Sequence, residues 1–320
     1  MKPNDPYYDD ARSGWNQWAL EHMGAPDAWS CLGNKASNVA VAVVDRGVVT
    51  NHEDLQGRVE IPTHTVINTA RADGDHGTSV AGIIAAQTNN ARGIAGAAGP
   101  ASVRILSVKF CSEQVLPSPS NGANGINEAV RLLRHQKHKG VICLPWDVGY
   151  HTPELEQAIA DAGRKSNDVL VVVAAGNSSL DIDRYPNWPA SYGHMNHVIT
   201  VMATGQPSKI ARYDETRATF SNYGRKSVHI SAPGVAIMST TPYFGLRAPR
   251  GSMRVGYRYF SGTSAATALV AGLAALLRAK HPSWTAPWVK SRIINTAMPV
   301  PALKGQCVSG GIAHFRRAVC

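Results

Sequence analysis

Apolar residues along the chain form short continuous runs that alternate with longer stretches of helical periodicity. Six of the runs are rich in β-branched residues and predict strands at 38–44, 102–110, 141–144, 169–174, 198–203 and 228–230. The stretches with helical periodicity predict helices at 77–87, 125–139, 153–165, 264–280 and 286–296. Strands that are apolar on both faces and separated by helices indicate a mostly parallel sheet with helices on both faces, so we predict the α/β class.

Two irregular stretches, at 177–196 and 240–259, interrupt this alternation. Long loops inside a compact fold are often functional. We find no internal repeat and no low-complexity linker. We therefore expect one domain over 1–320, with an N-terminal arm at 1–30 and a C-terminal tail at 297–320.

Four polar residues stand at the ends of predicted elements. Asp45 and Asn177 each follow a strand, whereas His76 and Ser264 each open a helix. In a parallel sheet, ligands bind beyond the carboxyl ends of the strands. The topology thus favours a site at which these four side chains converge.

The four residue types match the needs of acyl transfer by a serine. A histidine takes the proton of the weakly nucleophilic hydroxyl, a carboxylate orients the histidine, and hydrogen-bond donors stabilise the oxyanion. Each residue alone has a simpler interpretation, because serine before a helix is commonly an N-cap and aspartate after a strand a turn residue. Their joint presence, in the order Asp, His, Ser, favours catalysis.

The motifs around these residues resemble those of the subtilase (S8) family of serine proteases. The similarity rests on the segments at 41–45, 76–78, 174–177 and 262–264, with further matching segments at 220–224 and 232–234. It implies a three-layer subtilisin-like fold and a serine endopeptidase that forms an acyl-enzyme. It also implies a catalytic triad of Asp45, His76 and Ser264, with Asn177 at the oxyanion.

The segment at 143–149 departs from the family pattern Ser-Leu-Gly, which pairs with an extended polypeptide substrate. Pro145 lacks an N–H, and Asp147 replaces a flexible glycine. We therefore expect narrowed specificity. Asp147 would favour basic substrates, whereas arginines at 247, 250, 254 and 258 would favour acidic ones or form a solvated face. The predicted substrate-binding residues are Leu144, Pro145, Trp146, Asp147, Ala174, Ala175 and Gly176.

The family resemblance also implies a structural calcium ion. Carboxylate, amide and carbonyl oxygens are the ligands that Ca²⁺ requires. The alternative is a polar loop without a metal. The matching residues are Asp5, Asp54 and Asn90, with the backbone carbonyls of Gln87, Arg92 and Ile94.

Composition and charge add few constraints. The chain has 32 Lys and Arg against 22 Asp and Glu, but it has no nucleic-acid motif and no dense basic run, so we expect no nucleic-acid partner. No window predicts a membrane span, and the N-terminus lacks the pattern of a signal peptide. We expect a secreted monomer, with a cleaved propeptide or a delivery subunit as further candidate partners. Of the five cysteines, Cys307 and Cys320 could form a disulfide that fixes the C-terminal tail, or all thiols could be free.

Two other functions stay open at this point. A catalytically dead protein could keep the fold and bind extended peptides. An esterase or acyl-transfer enzyme could use the same triad on a non-peptide substrate.

Overall fold

The structure of the protein is a computed structural model that describes most of the chain. It describes residues 2–9, 16–33, 36–62, 66, 74–112, 114–135, 140–164, 166, 168–206, 215–242 and 256–320. The arginines at 247, 250 and 254 lie outside these residues.

The strands of the described residues form one large sheet and a separate hairpin. The strands are β1 (Val39–Asp45), β2 (Val59–Glu60), β3 (Val103–Lys109), β4 (Val141–Leu144), β5 (Leu170–Ala174), β6 (Val198–Thr204), β7 (Ile230–Pro233), β8 (Ile237–Thr241), β9 (Gly256–Phe260), β10 (Met298–Pro299) and β11 (Gly311–Ile312). The large sheet has the order β10-β11-β7-β6-β5-β4-β1-β3-β2, and only the β10–β11 pair is antiparallel. Strands β8 and β9 form the antiparallel hairpin.

Helices cover both faces of the large sheet. The helices are α1 (Trp18–His22), α2 (Ala25–Ser30), α3 (Asp75–Ala85), α4 (Pro119–His135), α5 (Pro153–Ala162), α6 (Thr263–Lys280), α7 (Ala286–Asn295) and α8 (Phe315–Val319), with 3₁₀ turns at Ala190–His194 and Pro301–Leu303. Strands β1, β5 and β6 are buried at every position, which requires cover on both sides. Helices α3 and α6 pack on each other, as do α4 and α5, so that each pair covers one face.

The predicted strands are present, with ends that differ by at most three residues. The largest difference among the helices is in α4, which begins at Pro119 instead of 125. Its first turns are rich in glycine and asparagine, which have low helix propensity. Packing against the sheet overrides that preference, because Gly122 lies against the ring of Trp146 and leaves no room for a side chain.

Two regions contain more regular structure than the sequence indicated. The stretch predicted as irregular at 240–259 includes the end of β8 and most of β9. The predicted C-terminal tail contains β10, β11 and α8, and β11 pairs with β7 in the main sheet. The tail therefore extends the sheet.

One disulfide joins the two ends of the chain. It links Cys31, just after α2, to Cys320, just after α8. The suggested pairing of Cys307 with Cys320 is therefore wrong, and so is the alternative that all thiols are free. Cys111, Cys143 and Cys307 are free and buried. Within the described residues, no helix is long and apolar enough to cross a membrane.

We expect the disulfide to contribute strongly to stability, because it closes a loop with a sequence separation of 289 residues. The double variant Cys31→Ser/Cys320→Ser should lose about 2–4 kcal/mol of unfolding free energy, measured by guanidinium unfolding. The unchanged protein under reducing conditions should match the double variant, and the double variant should not respond to reductant. Equal stability of the two proteins without reductant would contradict the expectation.

Candidate active site

The topology brings the four polar residues to one edge of the sheet. Asp45 is the last residue of β1, and Asn177 lies three residues beyond the end of β5. His76 and Ser264 are each the second residue of a helix, α3 and α6 respectively. The carboxyl ends of two strands and the amino ends of two helices therefore meet at this edge.

Gly77 allows helix α3 to approach strand β1 closely. A Cβ atom at this position would lie 2.2 Å from the Gly47 carbonyl oxygen and 3.2 Å from the Asp45 Cβ. Such contacts are not tolerated, so a side chain would push the helix away from the strand. The glycine thus holds the neighbouring His76 within reach of Asp45.

A chain of hydrogen bonds links Asp45, His76 and Ser264. His76 Nδ1 lies 2.7 Å from Asp45 Oδ2, and His76 Nε2 lies 3.1 Å from Ser264 Oγ. Because the carboxylate is an acceptor, Nδ1 donates to it and Nε2 of a neutral imidazole is left as an acceptor facing the serine. Asp45 also accepts the backbone N–H of Arg46 at 2.6 Å, which holds the carboxylate in place.

The charge of Asp45 determines the proton affinity of His76. Burial by itself would lower the pKa of His76, but the charge of Asp45 and its hydrogen bond outweigh burial and raise the pKa. The charges of Arg46 and Arg258 act in the opposite direction. The imidazole is therefore a stronger base than it would be in the same pocket without the carboxylate.

Arg258, in strand β9, was predicted only as part of a charged loop. Its Nη1 donates to Asp75 Oδ2 at 2.6 Å, and Asp75 also accepts from the Thr241 hydroxyl. Its guanidinium lies over the ring of Phe260, and that ring packs edge-on against His76. The hairpin thus packs against His76 and supports its position. This role could not be deduced from the sequence, because it depends on how β9 lies against α3.

Asn177 directs an amide donor at the cleft. Its Oδ1 accepts the N–H of Thr263 at 2.9 Å and the Thr263 hydroxyl at 3.0 Å, which leaves the exposed Nδ2 facing the cleft. Among the hydrogen bonds between described residues, none uses the backbone N–H of Ser264, which lies in the first turn of α6. Among the described residues, Asn177 Nδ2 and the Ser264 N–H are thus two donors without a hydrogen bond, and both residues line the cleft.

A cleft with a volume of about 280 Å³ opens in front of these residues. Of the predicted substrate-binding residues, Pro145, Trp146, Asp147, Ala174 and Gly176 line it, whereas Leu144 and Ala175 are fully buried and do not. Arg46 and Cys111 also line the cleft, on the side of β1. Burial raises the pKa of Cys111 to about 12, so this thiol stays protonated and is a poor nucleophile.

Pro145 and Trp146 are both anchored to the site through hydrogen bonds. Ser264 Oγ donates to the Pro145 carbonyl at 2.8 Å, so this carbonyl competes with His76 Nε2 for the single hydroxyl proton. Trp146 is 9% exposed and donates its indole N–H to the Val44 carbonyl. Trp146 therefore holds the wall of the cleft against β1 more than it presents a surface to a ligand.

The structure brings the predicted calcium-binding side chains together. Asp5 accepts the N–H of Asn89 at 2.9 Å and the N–H of Asn90 at 3.2 Å. Asn90 Nδ2 donates to Asp54 Oδ1 at 2.8 Å, and the Ile94 N–H donates to Asp54 Oδ2 at 2.8 Å. The side-chain oxygen of Asn90 accepts the N–H of Arg92 and so points away from Asp54.

Both carboxylates of this cluster are buried, Asp5 at 3% and Asp54 at 0% exposure. Within the described residues, neither forms an ion pair with a basic side chain. Burial raises the pKa of Asp5, and burial with the charge of Asp5 raises the pKa of Asp54 to about 7. This donor set fits a hard cation, which would supply the missing positive charge.

Comparison with known proteins identifies the family and the fold. The subtilase family profile, Peptidase S8, matches residues 36–314. The chain is 35% identical over 297 residues to thermitase from Thermoactinomyces vulgaris, covering 92% of this chain and 91% of thermitase. It is 36% identical over 284 residues to alkaline elastase YaB from Bacillus sp. (strain YaB), covering 88% of this chain and 64% of that longer protein.

A solved structure of a protease from Pseudoalteromonas arctica PAMC 21717 is also similar. It aligns with 100% of this chain and 99% of its own at a TM-score of 0.76 and 28% identity. The shared fold defines the class, an α/β protease with a mostly parallel central sheet. The chain belongs to the subtilase family and is a serine endopeptidase. The predicted family and the three-layer subtilisin-like fold are confirmed.

The hydrogen bond from His76 to Asp45 allows us to predict how the proton affinity of His76 changes when Asp45 is replaced. The variant Asp45→Asn should lower the pKa of His76, because it removes the charge that outweighs burial. Titration of the imidazole by NMR measures the shift, which we expect to exceed about one pKa unit. The variant Asp147→Asn removes a charge from the same cleft without touching His76 and should have a much smaller effect. Equal shifts in the two variants would contradict a specific pairing.

Proposed function

We propose that Asp45, His76 and Ser264 act as the catalytic triad of this endopeptidase. The observation that supports this best is the continuous chain of hydrogen bonds from the buried carboxylate through the imidazole to the hydroxyl. Ser264 attacks the carbonyl carbon of the scissile peptide bond, and His76 Nε2 accepts the hydroxyl proton. Asp45 holds the imidazole in the required tautomer and stabilises its protonated form.

The oxyanion of the tetrahedral intermediate would be held by two donors, Asn177 Nδ2 and the backbone N–H of Ser264. The second lies at the amino end of α6, where the helix dipole favours negative charge. His76 then gives its proton to the leaving amine, which leaves an acyl group on Ser264. Water, activated by His76, hydrolyses the acyl-enzyme.

The substrate we propose is a polypeptide in extended conformation, accepted with narrower specificity than a general digestive protease. Pro145 offers a carbonyl but no N–H, and Asp147 adds a charge to the cleft. We further propose that the chain works as one monomeric domain outside the cell. The disulfide between Cys31 and Cys320 supports an oxidising compartment.

Calcium is proposed as a structural ion at the cluster that joins the N-terminal segment to the loop after α3. Asp5, Asp54 and Asn90 would hold it, with the carbonyl oxygens of Gln87, Arg92 and Ile94. The ion would neutralise two buried carboxylates and pin the N-terminal segment. It takes no part in the chemistry of the triad.

Activity on an unfolded protein or a chromogenic peptide tests the triad. Ser264→Ala should abolish hydrolysis apart from a small residual rate. Asn177→Ala should lower kcat about 10²–10³-fold, a range known from removal of an oxyanion donor in subtilisin. Asn295→Ala serves as a control, since this asparagine is exposed at the end of α7 and does not line the cleft. Full activity of Ser264→Ala would refute the proposal, and hydrolysis of simple esters alone would instead indicate a non-peptide substrate.

Thermal unfolding tests the calcium site, best in the Ser264→Ala background, where self-digestion cannot interfere. Saturating Ca²⁺ at about 100 times its Kd should add about 2.7 kcal/mol of stability to the otherwise unchanged protein and almost none to Asp54→Asn. Asp183→Asn, which removes a carboxylate from another loop, should respond like the parent. Absence of any effect of Ca²⁺ on the parent would rule the site out.

The same site should show a defined dependence on pH. Burial raises the pKa of Asp54 to about 7 in the folded protein, whereas an unfolded aspartate titrates near 4, so the stability without Ca²⁺ should fall as pH rises from about 4 to about 7 and level off above 7. Protons compete with Ca²⁺ below that value. The stabilisation by Ca²⁺ is therefore expected to be larger well above pH 7 than well below it, and the opposite order would contradict this account.

A further inference from the structure

The carboxylate of Asp147 lines the candidate substrate cleft and pairs with no basic side chain among the described residues. It is exposed, it lines the cleft together with Ser264, and its Oδ2 accepts a hydrogen bond of 3.0 Å from Asn187 Nδ2. Within the described part of the chain, this is its single hydrogen bond, and no basic side chain pairs with it. A carboxylate can accept several hydrogen bonds, so most of its capacity faces the cleft.

Asn187 holds this carboxylate in one place. Its amide nitrogen has two protons, one given to Asp147 and the other to the Ala175 carbonyl at 3.0 Å. Its backbone N–H is also bonded, to the hydroxyl of Ser191 at 2.9 Å. Asn187 therefore connects the two walls of the cleft and has no amide proton left for a ligand.

The carboxylate lies where a substrate side chain would enter. The two walls follow the adjacent parallel strands β4 and β5, with Asp147 on one and Gly176 on the other. Asp147 Oδ2 is 2.7 Å from where a Cβ on Gly176 would be, and Gly176 directly precedes Asn177. The carboxylate thus stands beside the candidate oxyanion site.

The distance to the nucleophile suits a long side chain. Ser264 Oγ is bonded to the carbonyl of Pro145, two residues before Asp147. The backbone from residue 145 to residue 147 spans at most about 7 Å, which is close to the reach of a lysine or arginine side chain. A substrate carbonyl at Ser264 with its oxygen toward Asn177 would place the same substrate residue between the segments at 145–147 and 174–177, which form the two walls.

Charge then decides which side chain is accepted. An apolar side chain would strip water from Asp147 without replacing its hydrogen bonds, which is unfavourable. A guanidinium or ammonium group would pair with the carboxylate, and a guanidinium can do so through two hydrogen bonds. Among the described residues that line the cleft, Arg46 is the one lysine or arginine. It lies beside Asp45 at the end of β1.

We propose that Asp147, positioned by Asn187, makes this protein select lysine or arginine immediately before the scissile bond. The inference rests on the proposed function, because it places the substrate carbonyl at Ser264.

The kinetic test uses chromogenic tetrapeptides that differ only in the residue before the cleaved bond, which is Arg, Lys, Gln, Ala, Leu or Glu. We expect kcat/KM for Arg to exceed that for Gln or Leu roughly 10–100-fold, in line with a hydrogen-bonded charge pair. Asp147→Asn should remove most of the ratio of Arg to Gln. Asn187→Ala should reduce that ratio less, because it frees the carboxylate without removing its charge.

Glu154→Gln is the matched control, since it removes one exposed negative charge from the start of α5, outside the cleft. Its ratios should equal those of the parent. The inference would be overturned if the parent enzyme prefers Ala over Arg and if Asp147→Gly makes Leu a substrate. Asp147 would then only fill the pocket. A preference for Arg that survives Asp147→Asn would also overturn it.

A binding measurement separates this inference from the proposed catalysis. In Ser264→Ala, calorimetry compares an extended peptide containing Arg with the same peptide containing Gln. Tighter binding of the Arg peptide that disappears in Ser264→Ala/Asp147→Asn supports the inference even if the parent proves inactive. Equal binding of the two peptides, beside normal serine-dependent hydrolysis, would overturn the inference and leave the proposed function intact.

Discussion

The hydrogen bond between Asp45 and His76 depends on how closely a helix can approach the end of a strand. Asp45 ends a fully buried strand, and His76 is held beside it because Gly77 presents no side chain to the backbone at Gly47. Without this contact, the imidazole would have neither its tautomer nor its raised pKa. The arrangement of the candidate active site therefore follows from the packing of α3 on the central sheet.

The remaining groups of the site lie at the same edge of the sheet and need no further special geometry. The carboxyl ends of the parallel strands lie at this edge of the sheet, and α6 begins there with Ser264 in its first turn. Asn177 is oriented by Thr263, the residue before the serine, so the proposed oxyanion donor and the proposed nucleophile are held at the same helix end. Such convergence explains why residues far apart in sequence can act as a unit.

Much of this could be predicted from the sequence, because the relevant signals are local. The runs that form β1 and β5 are apolar on both faces, and Asp45 ends the first strand while Asn177 lies three residues beyond the second. The partner of Cys320 was not predictable, since it depends on α2 and α8 lying side by side at the two ends of the chain. Hairpin strand β9 and the contact of Arg258 with Asp75 were also missed, because polar and aromatic residues there gave no clear apolar pattern.

The proposed function depends on activation of the Ser264 hydroxyl by the Asp45–His76 pair. The most direct measurement is the rate at which a fluorophosphonate probe labels the protein as a function of pH, with the label located by peptide mapping. The account predicts a label on Ser264 alone, a rate that rises as His76 loses its proton, and loss of that dependence in His76→Ala. Absence of labelling in folded, calcium-loaded protein, or labelling that does not depend on His76, would contradict it.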